Sequence, residues 1–231
     1  MKLLYGTGNA AKLEVMRRAL AGLVTGSELS AREGGEFYMG EPLEILGLSD
    51  MEREAPPVPE DGSSPLENAR QKALAYYAFF GVPVFSCDSG LYFEGLPEAI
   101  QPGVHVRTVK GKYLTDEEMQ AYYGGLAAKY GDLRARYHNA ICLVLDRDHV
   151  YECMDESLVS EVFLITSKPW SGVRRKGFPL DSLSVDVRTG KYYYELEQEY
   201  VDSSIANADE LALDEGFRGF FRKLWADGVF S

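Results

Sequence analysis

Residues 65–90 read PLENARQKALAYYAFFGVPVFSCDSG, and the reading of this stretch decides the fold. Pro65 suits the first position of a helix, where a missing N–H costs nothing. The helix is expected to reach about Phe80, with Leu66, Ala69, Ala73, Leu74, Tyr77 and Phe80 facing inward. Gly81 stops it, and Val82 to Cys87 forms a compact apolar strand ending at Asp88-Ser89-Gly90.

Toward the N-terminus, Lys2 to Tyr5 is a short strand, Gly6-Thr7-Gly8 a turn, and Asn9 an N-cap. Leu13, Met16, Ala19, Leu20 and Leu23 recur at helical spacing and supply a core face. The polar stretch Thr25 to Glu41 reads as a loop, and Leu43 to Leu48 as a second strand. Pro56, Pro57 and Pro59 stiffen a connection that delivers Glu60 and Asp61. Alternating strands and helices in this order imply a largely parallel sheet with covering helices.

Further on, Thr115-Asp116-Glu117-Glu118 caps a helix reaching about Tyr130. Arg136 to Leu145 and Val150 to Ile165 are long β-rich runs joined through Asp146-Arg147-Asp148, which suits a hairpin. Gly172 to Asp181 is a basic loop, Leu183 to Val187 a short strand, and Ser203 to Trp225 a closing helix.

The 231 residues, 45% hydrophobic and 26% charged, exclude disordered and low-complexity classes. A formal net charge of -12 opposes general binding to nucleic acid or anionic lipid. Cys87, Cys142 and Cys153 lack CxxC spacing and read as free thiols of a reducing compartment, and the three histidines form no zinc pattern. No apolar leader or membrane-length stretch is visible, so a cytoplasmic location is expected.

Four groups carry possible chemistry. Thr7 through Lys12 lie at a strand-to-helix turn, where exposed N–H groups and the helix dipole attract anions. Lys12 falls near the third helical position, where a cation opposes that dipole; it faces either solvent or a bound phosphate. Glu60 and Asp61 precede a helix bearing Glu67, Asn68 and Lys72, and Asp88-Ser89-Gly90 follows an apolar strand. Carboxylates beyond the carboxyl ends of parallel strands fall where α/β sheets bind ligands, and with a polyphosphate they suit Mg²⁺. Asp88 and Ser89 could equally form a simple Asx or β-turn. Arg174-Arg175-Lys176-Gly177-Phe178-Pro179-Leu180-Asp181 combines cations with an aromatic and an acid: a solvated loop, or a nucleotide contact. No nucleophile elbow or Cys/His pair is present for covalent catalysis.

In order along the chain, Thr7-Gly8-Asn9-x-x-Lys12, Asp61 to Ala73, Cys87-Asp88-Ser89-Gly90-Leu91, Pro102-Gly103-Val104 with Arg107, Arg136-Tyr137-His138 and Gly177-Phe178-x-x-Asp181 resemble the blocks of the inosine triphosphate pyrophosphatase family. The resemblance implies one two-lobed domain over 1–231: a mixed α/β fold with an elongated central sheet, flanking helices and a nucleotide cleft between the lobes. It implies Mg²⁺-dependent hydrolysis of non-standard purine triphosphates, of the ITP and XTP type, to monophosphate and pyrophosphate. Thr7, Asn9 and Lys12 would bind phosphates with Lys72 assisting. Glu60 and Asp88 would hold the metal, and Asp88 would alternatively orient the attacking water. Ser89 and Gly90 would line the same pocket, Phe178 and Asp181 would frame the base, and two copies would pair as a homodimer.

Two departures stand out. Cys87-Asp88 replaces a pair of adjacent acids, and Ser204-Ile205-Ala206 replaces a Ser-His-Arg group that reads the 6-oxo purine. The alternatives are therefore the same fold acting on a different nucleotide, or a nucleotide-binding protein with little catalysis.

Overall fold

The computed structural model describes residues 1–23, 43–172, 178–196 and 208–230. Its elements run β1 (Lys2–Tyr5), α1 (Ala10–Ala19), β2 (Glu44–Gly47), α2 (Pro65–Phe80), β3 (Val84–Phe93), β4 (Thr108–Val109), β5 (Lys112–Tyr113), α3 (Asp116–Tyr130), β6 (Leu133–Val144), β7 (Val150–Cys153), β8 (Phe163–Ile165), β9 (Ser184–Asp186) and α4 (Ala208–Ala226). Local chemistry sets the helix ends. Asn9 Oδ1 accepts from the Ala11 and Lys12 N–H groups at 2.9 and 3.3 Å. Thr115 and Glu118 form a reciprocal capping box, and Gly81 closes α2 at φ 69°, a left-handed conformation glycine adopts without a Cβ penalty.

The described strands form a mixed seven-stranded sheet in the order β2-β1-β3-β6-β8-β9, with β7 also paired to β6, plus a separate β4-β5 ribbon. β1 is parallel to β2 and β3; β6 is antiparallel to β3 over ten residue pairs, from Val84↔Val144 to Phe93↔Ala135. Side chains alternate across β3. Phe85 points toward α4, meeting Phe221 edge-on at 5.5 Å and stacking on Tyr5 at 4.7 Å. Asp88 points the opposite way, toward α2.

One large apolar cluster joins Leu13 and Met16 of α1 and Leu20 just beyond it to Phe85, Ile141 and the aromatic residues of α4. A second joins Leu91 and Phe93 to Tyr123 of α3 and Phe163 of β8. Smaller clusters lie beneath α2, where Ala69 and Ala73 meet Ala140, Cys142 and Val144. Arg218 of α4 donates from Nη1 to the carbonyls of Ala19 and Ala21, both at 2.9 Å, so α4 satisfies the open carboxyl end of α1.

Several expectations are corrected. The strand does not stop at Cys87, and Asp88-Ser89-Gly90 is not a turn: β6 continues opposite, pairing these residues with Ala140, Asn139 and His138. Leu74 is 42% exposed, because the sheet-facing stripe of α2 is Asn68, Ala69, Lys72, Ala73 and Tyr76. The run Val150 to Ile165 breaks after Cys153, where Asp155 accepts from the Ser157 N–H and starts a 3-10 turn that buries Leu158. Among the described strands the parallel pairing is confined to β1, β2 and β3. Thr25 to Glu41, Arg174 to Gly177 and Ser203 to Asn207 lie outside the described residues.

Helix α4 crosses that 3-10 turn at Gly216, where a Cβ would stand 2.1 Å from the Ser157 carbonyl oxygen. A backbone oxygen cannot yield as a side-chain tip can. Gly216→Ala is therefore expected to destabilise the protein by about 2 kcal/mol, despite a gain of up to about 1 kcal/mol in helix propensity. Thermal unfolding checks this, and an unchanged Tm would show that the crossing has slack.

Candidate functional site

The site arises from a mismatch in strand length. β1 pairs with β3 only at Leu4↔Val84 and Tyr5↔Phe85, while β3 runs on to Phe93. On that edge β3 next finds a partner at Leu91, which exchanges backbone hydrogen bonds with Gly103 at 2.9 and 3.0 Å. Between them no described strand pairs with this edge of β3 around Cys87, Asp88 and Ser89.

The chain leaves β1 through Gly6, whose N–H donates to the Phe85 carbonyl at 2.8 Å. A Cβ on Gly6 would lie 2.2 Å from Ser86 Oγ and 2.6 Å from the Tyr76 ring, so only glycine passes here. Thr7 Oγ1 accepts from the Asn9 N–H at 3.2 Å, which tightens the turn into α1. The Asn9 cap corrects one expectation: two of the opening amides read as anion donors, those of Ala11 and Lys12, are already occupied by the Asn9 side chain.

Asp88, 7% exposed, is gripped at both oxygens. Asn68 Nδ2 donates to Oδ2 at 3.0 Å, and Lys72 Nζ donates to Oδ1 at 2.9 Å. Asn68 and Lys72 are four residues apart on α2 and so share a face. The Lys72 ammonium also reaches Glu60 Oε1 at 3.0 Å and the Cys87 carbonyl at 3.1 Å, the latter through the open edge of β3. Asn68 Oδ1 accepts from the Gly62 N–H at 2.8 Å, tying the loop that carries Glu60 to the same cluster. Asp61 is turned aside, its carboxylate accepting from Gln71 at 3.0 Å.

Lys12 enters from the start of α1. Its partly buried amine makes no hydrogen bond or ion pair among the described residues, yet it lies in the field of Lys72, Asp88 and Glu60. Burial and then the Lys72 charge lower its pKa, against the opposing pull of Asp88 and Glu60. Burial also pulls down on the Lys72 amine, but Asp88 and Glu60 outweigh it and raise the pKa. Two lysines and two carboxylates thus meet beyond the carboxyl end of β1. The Cys87 thiol, pushed up to about 12 by burial, adds no charge at neutral pH, and it lies on the face of β3 opposite Asp88.

Other expected residues lie elsewhere around β3 or beyond it. Ser89 Oγ donates to Asn139 Oδ1 at 2.6 Å on the face opposite Asp88, and Asn139 Nδ2 donates in turn to the Leu158 carbonyl at 2.8 Å. Gly90 is pressed against the Tyr92 ring and the Gly103 carbonyl. Phe178 and Asp181 stand at a 3-10 turn (Pro179–Ser182) beside β9; Tyr194 donates to the Phe178 carbonyl at 2.9 Å, and the Asp181 charge adds to burial in raising the Tyr137 pKa. Arg107 donates to the Asp116 carboxylate in the first turn of α3 at 2.7 Å. The sequence groups Asn68 with Glu60, Asp61 and Lys72 but gives it no role; its four-residue spacing from Lys72 is the signal that the two share a face.

Glu60 and Asp88 provide hard oxygen donors. Mg²⁺ takes one or two carboxylates and fills its remaining positions with water or phosphate oxygens, so this pair fits it. No larger group of His, Cys, Asp and Glu suited to a metal gathers among the described residues.

Fold and cluster together define a mixed α/β protein with a paired-charge site at the carboxyl end of its parallel strands. The sequence model of the Ham1 family matches residues 3–165, a span that contains Lys12, Glu60, Lys72 and Asp88, and the chain belongs to that family. It is 35% identical over 105 residues to a dITP/XTP pyrophosphatase of Anaeromyxobacter dehalogenans (strain 2CP-C), covering 46% of this chain and 36% of that protein. It is 34% identical over 125 residues to a dITP/XTP pyrophosphatase of Symbiobacterium thermophilum, covering 53% and 60%. The matched stretch therefore spans less than two thirds of either relative. Among solved structures, the Ham1 protein of Staphylococcus aureus superposes with a TM-score of 0.65 at 16% identity, covering 96% of this chain and 99% of that one. A HAM1 protein from Coxiella burnetii gives 0.61 at 19% identity over the whole of both chains. These two share the fold.

Proposed function

We propose that the protein is a Mg²⁺-dependent pyrophosphohydrolase that cleaves non-standard purine nucleoside triphosphates, of the ITP and XTP type, to monophosphate and pyrophosphate. The observation that carries this reading is the convergence of Lys12, Glu60, Lys72 and Asp88 from four separate segments into one cluster. Family membership and the activity named for the curated relatives support it.

Phosphoryl chemistry needs positioning and charge neutralisation more than a nucleophilic side chain. Lys12, with Thr7 and Asn9 at the start of α1, receives the polyphosphate, and Lys72 adds a second cation. Glu60 and Asp88 hold the metal, and Asp88 orients the attacking water. Bound there, Mg²⁺ neutralises phosphate charge and lowers the pKa of coordinated water. The two large apolar clusters are the cores of two lobes, and the nucleotide lies in a cleft between these lobes with its phosphates on the Asp88 face of β3 and its base framed by Phe178 and Asp181; Ser89 and Gly90 offer only backbone to it, since the Ser89 side chain is turned to Asn139.

Pairing of two copies and a cytoplasmic setting complete the proposal. All three cysteines are free thiols, and no described helix is long and apolar enough to cross a membrane.

A second reading, a different nucleotide on the same fold, is favoured by Ser204-Ile205-Ala206 in place of the basic base-reading group. Pyrophosphate release from ITP, XTP, dITP and the standard triphosphates, with and without Mg²⁺, separates the readings. Metal-dependent turnover strongest with ITP or XTP is expected. Turnover confined to a standard nucleotide selects the second reading, and nucleotide binding without turnover rejects both.

A further inference from the structure

We propose that Lys72 is the resident counter-ion of the metal position: its ammonium holds Glu60 and Asp88 together in the metal-free protein and yields that place when a divalent ion binds. The inference deepens the proposed function and rests on its metal assignment.

The Lys72 ammonium has three protons and three oxygen acceptors, Asp88 Oδ1 at 2.9 Å, Glu60 Oε1 at 3.0 Å and the Cys87 carbonyl at 3.1 Å. Two carboxylates and a carbonyl are the donor chemistry that hard divalent cations take. The gap in the sheet edge makes this arrangement possible, because a paired β3 would leave no room for a lysine at the Cys87 carbonyl. Lys72 and Asp88 side chains are each 10% exposed, whereas that of Glu60 is 54% exposed. Asp88 is further fixed by Asn68. The cluster therefore has a rigid wall and a movable one, so the Glu60 loop can adjust as one cation replaces another.

Without a cation, the buried Asp88 carboxylate would bear its desolvation cost uncompensated and would repel Glu60. Lys72 removes that cost before any metal arrives. An ammonium and a divalent ion cannot share the same two oxygens without strong repulsion. Metal entry thus frees the Lys72 amine beside Lys12, where both cations can face the triphosphate. The same side chain serves first as a place-holder and then as a phosphate ligand.

The test is binding of Mn²⁺ alone to the full chain, measured by calorimetry with no nucleotide present. Lys72→Met and Lys72→Gln are expected to bind Mn²⁺ at least about tenfold more tightly than the unaltered protein, because the competing cation is gone. Their Tm should fall without metal and recover with it, while the Tm of the unaltered protein responds less. Equal or weaker Mn²⁺ binding by folded variants overturns the proposal and leaves the metal assignment standing. Failure of every form to bind Mn²⁺ overturns both.

Should the variants not fold, amine acetylation of the unaltered protein, read by mass spectrometry at Lys72, gives the answer. Faster labelling on adding Mn²⁺ supports displacement of the ammonium, and unchanged or slower labelling overturns it.

Discussion

Asp88→Asn is expected to lower pyrophosphate release by about 10³-fold or more while leaving a folded protein, since a general base or water-orienting carboxylate contributes about 10² to 10⁴. The substitution keeps the shape of the side chain and removes its charge. Its oxygen can still face Asn68 or Lys72, but the carboxylate pair that suits a divalent ion is broken. Some stability should also be lost, because removing one partner of a buried ion pair leaves the other uncompensated. The loss is softened by Glu60 and the Cys87 carbonyl, which still receive the Lys72 ammonium. Circular dichroism and Tm establish the fold, and steady-state pyrophosphate release gives the rate. Turnover within tenfold of the unaltered protein would remove Asp88 from the chemistry.

Lys12→Met is the second large effect, and its signature is a split between activity and stability. Loss of a cation that contacts developing phosphate charge should cost about 2–4 kcal/mol of transition-state stabilisation, roughly 30- to 10³-fold in kcat/KM. Yet Lys12 makes no ion pair among the described residues, and it feels the repulsion of Lys72. A methionine there should leave Tm unchanged or raised, as happens where a strained functional group is replaced. The pH profile adds a check. Because burial and Lys72 lower the Lys12 pKa, the free protein loses this proton, and with it the positive charge, at lower pH than an ordinary lysine would. The alkaline limb of kcat/KM should therefore begin early in the unaltered protein and be missing in Lys12→Met. A lowered Tm with normal kcat/KM would make Lys12 a structural residue.

What could be read in advance was what a single turn of chain controls. Asn9, Gly81 and the Thr115–Glu118 box act on N–H and carbonyl groups within a few residues, so their effects were visible without the rest of the molecule. Asp88-Ser89-Gly90 misled because its composition favours turns, while its extended form depends on pairing with β6, some fifty residues away in sequence. That error hid another. On a continuous strand Cys87 and Asp88 must point to opposite faces, and only then does Ser89 fall with Asn139 rather than with Asp88. Leu74 was assigned inward on hydrophobicity, whereas the buried stripe includes Asn68 and Lys72, polar residues that the cluster around Asp88 satisfies. The residues that meet at the site were each suspected from the sequence. Their mutual contacts were not, because these depend on an interrupted sheet edge.

The contact between α1 and α4 bears on how the protein is made. Arg218 reaches carbonyls 199 and 197 residues earlier, and Phe217, Phe220 and Phe221 complete the cluster under Leu13 and Met16. A ribosome releases the N-terminal segment long before α4 exists, and closing so long a span is slow. The segment bearing Lys12 must therefore wait for α4 before its packing is complete, and a nascent chain cut short ahead of α4 would carry that lysine on an unanchored helix.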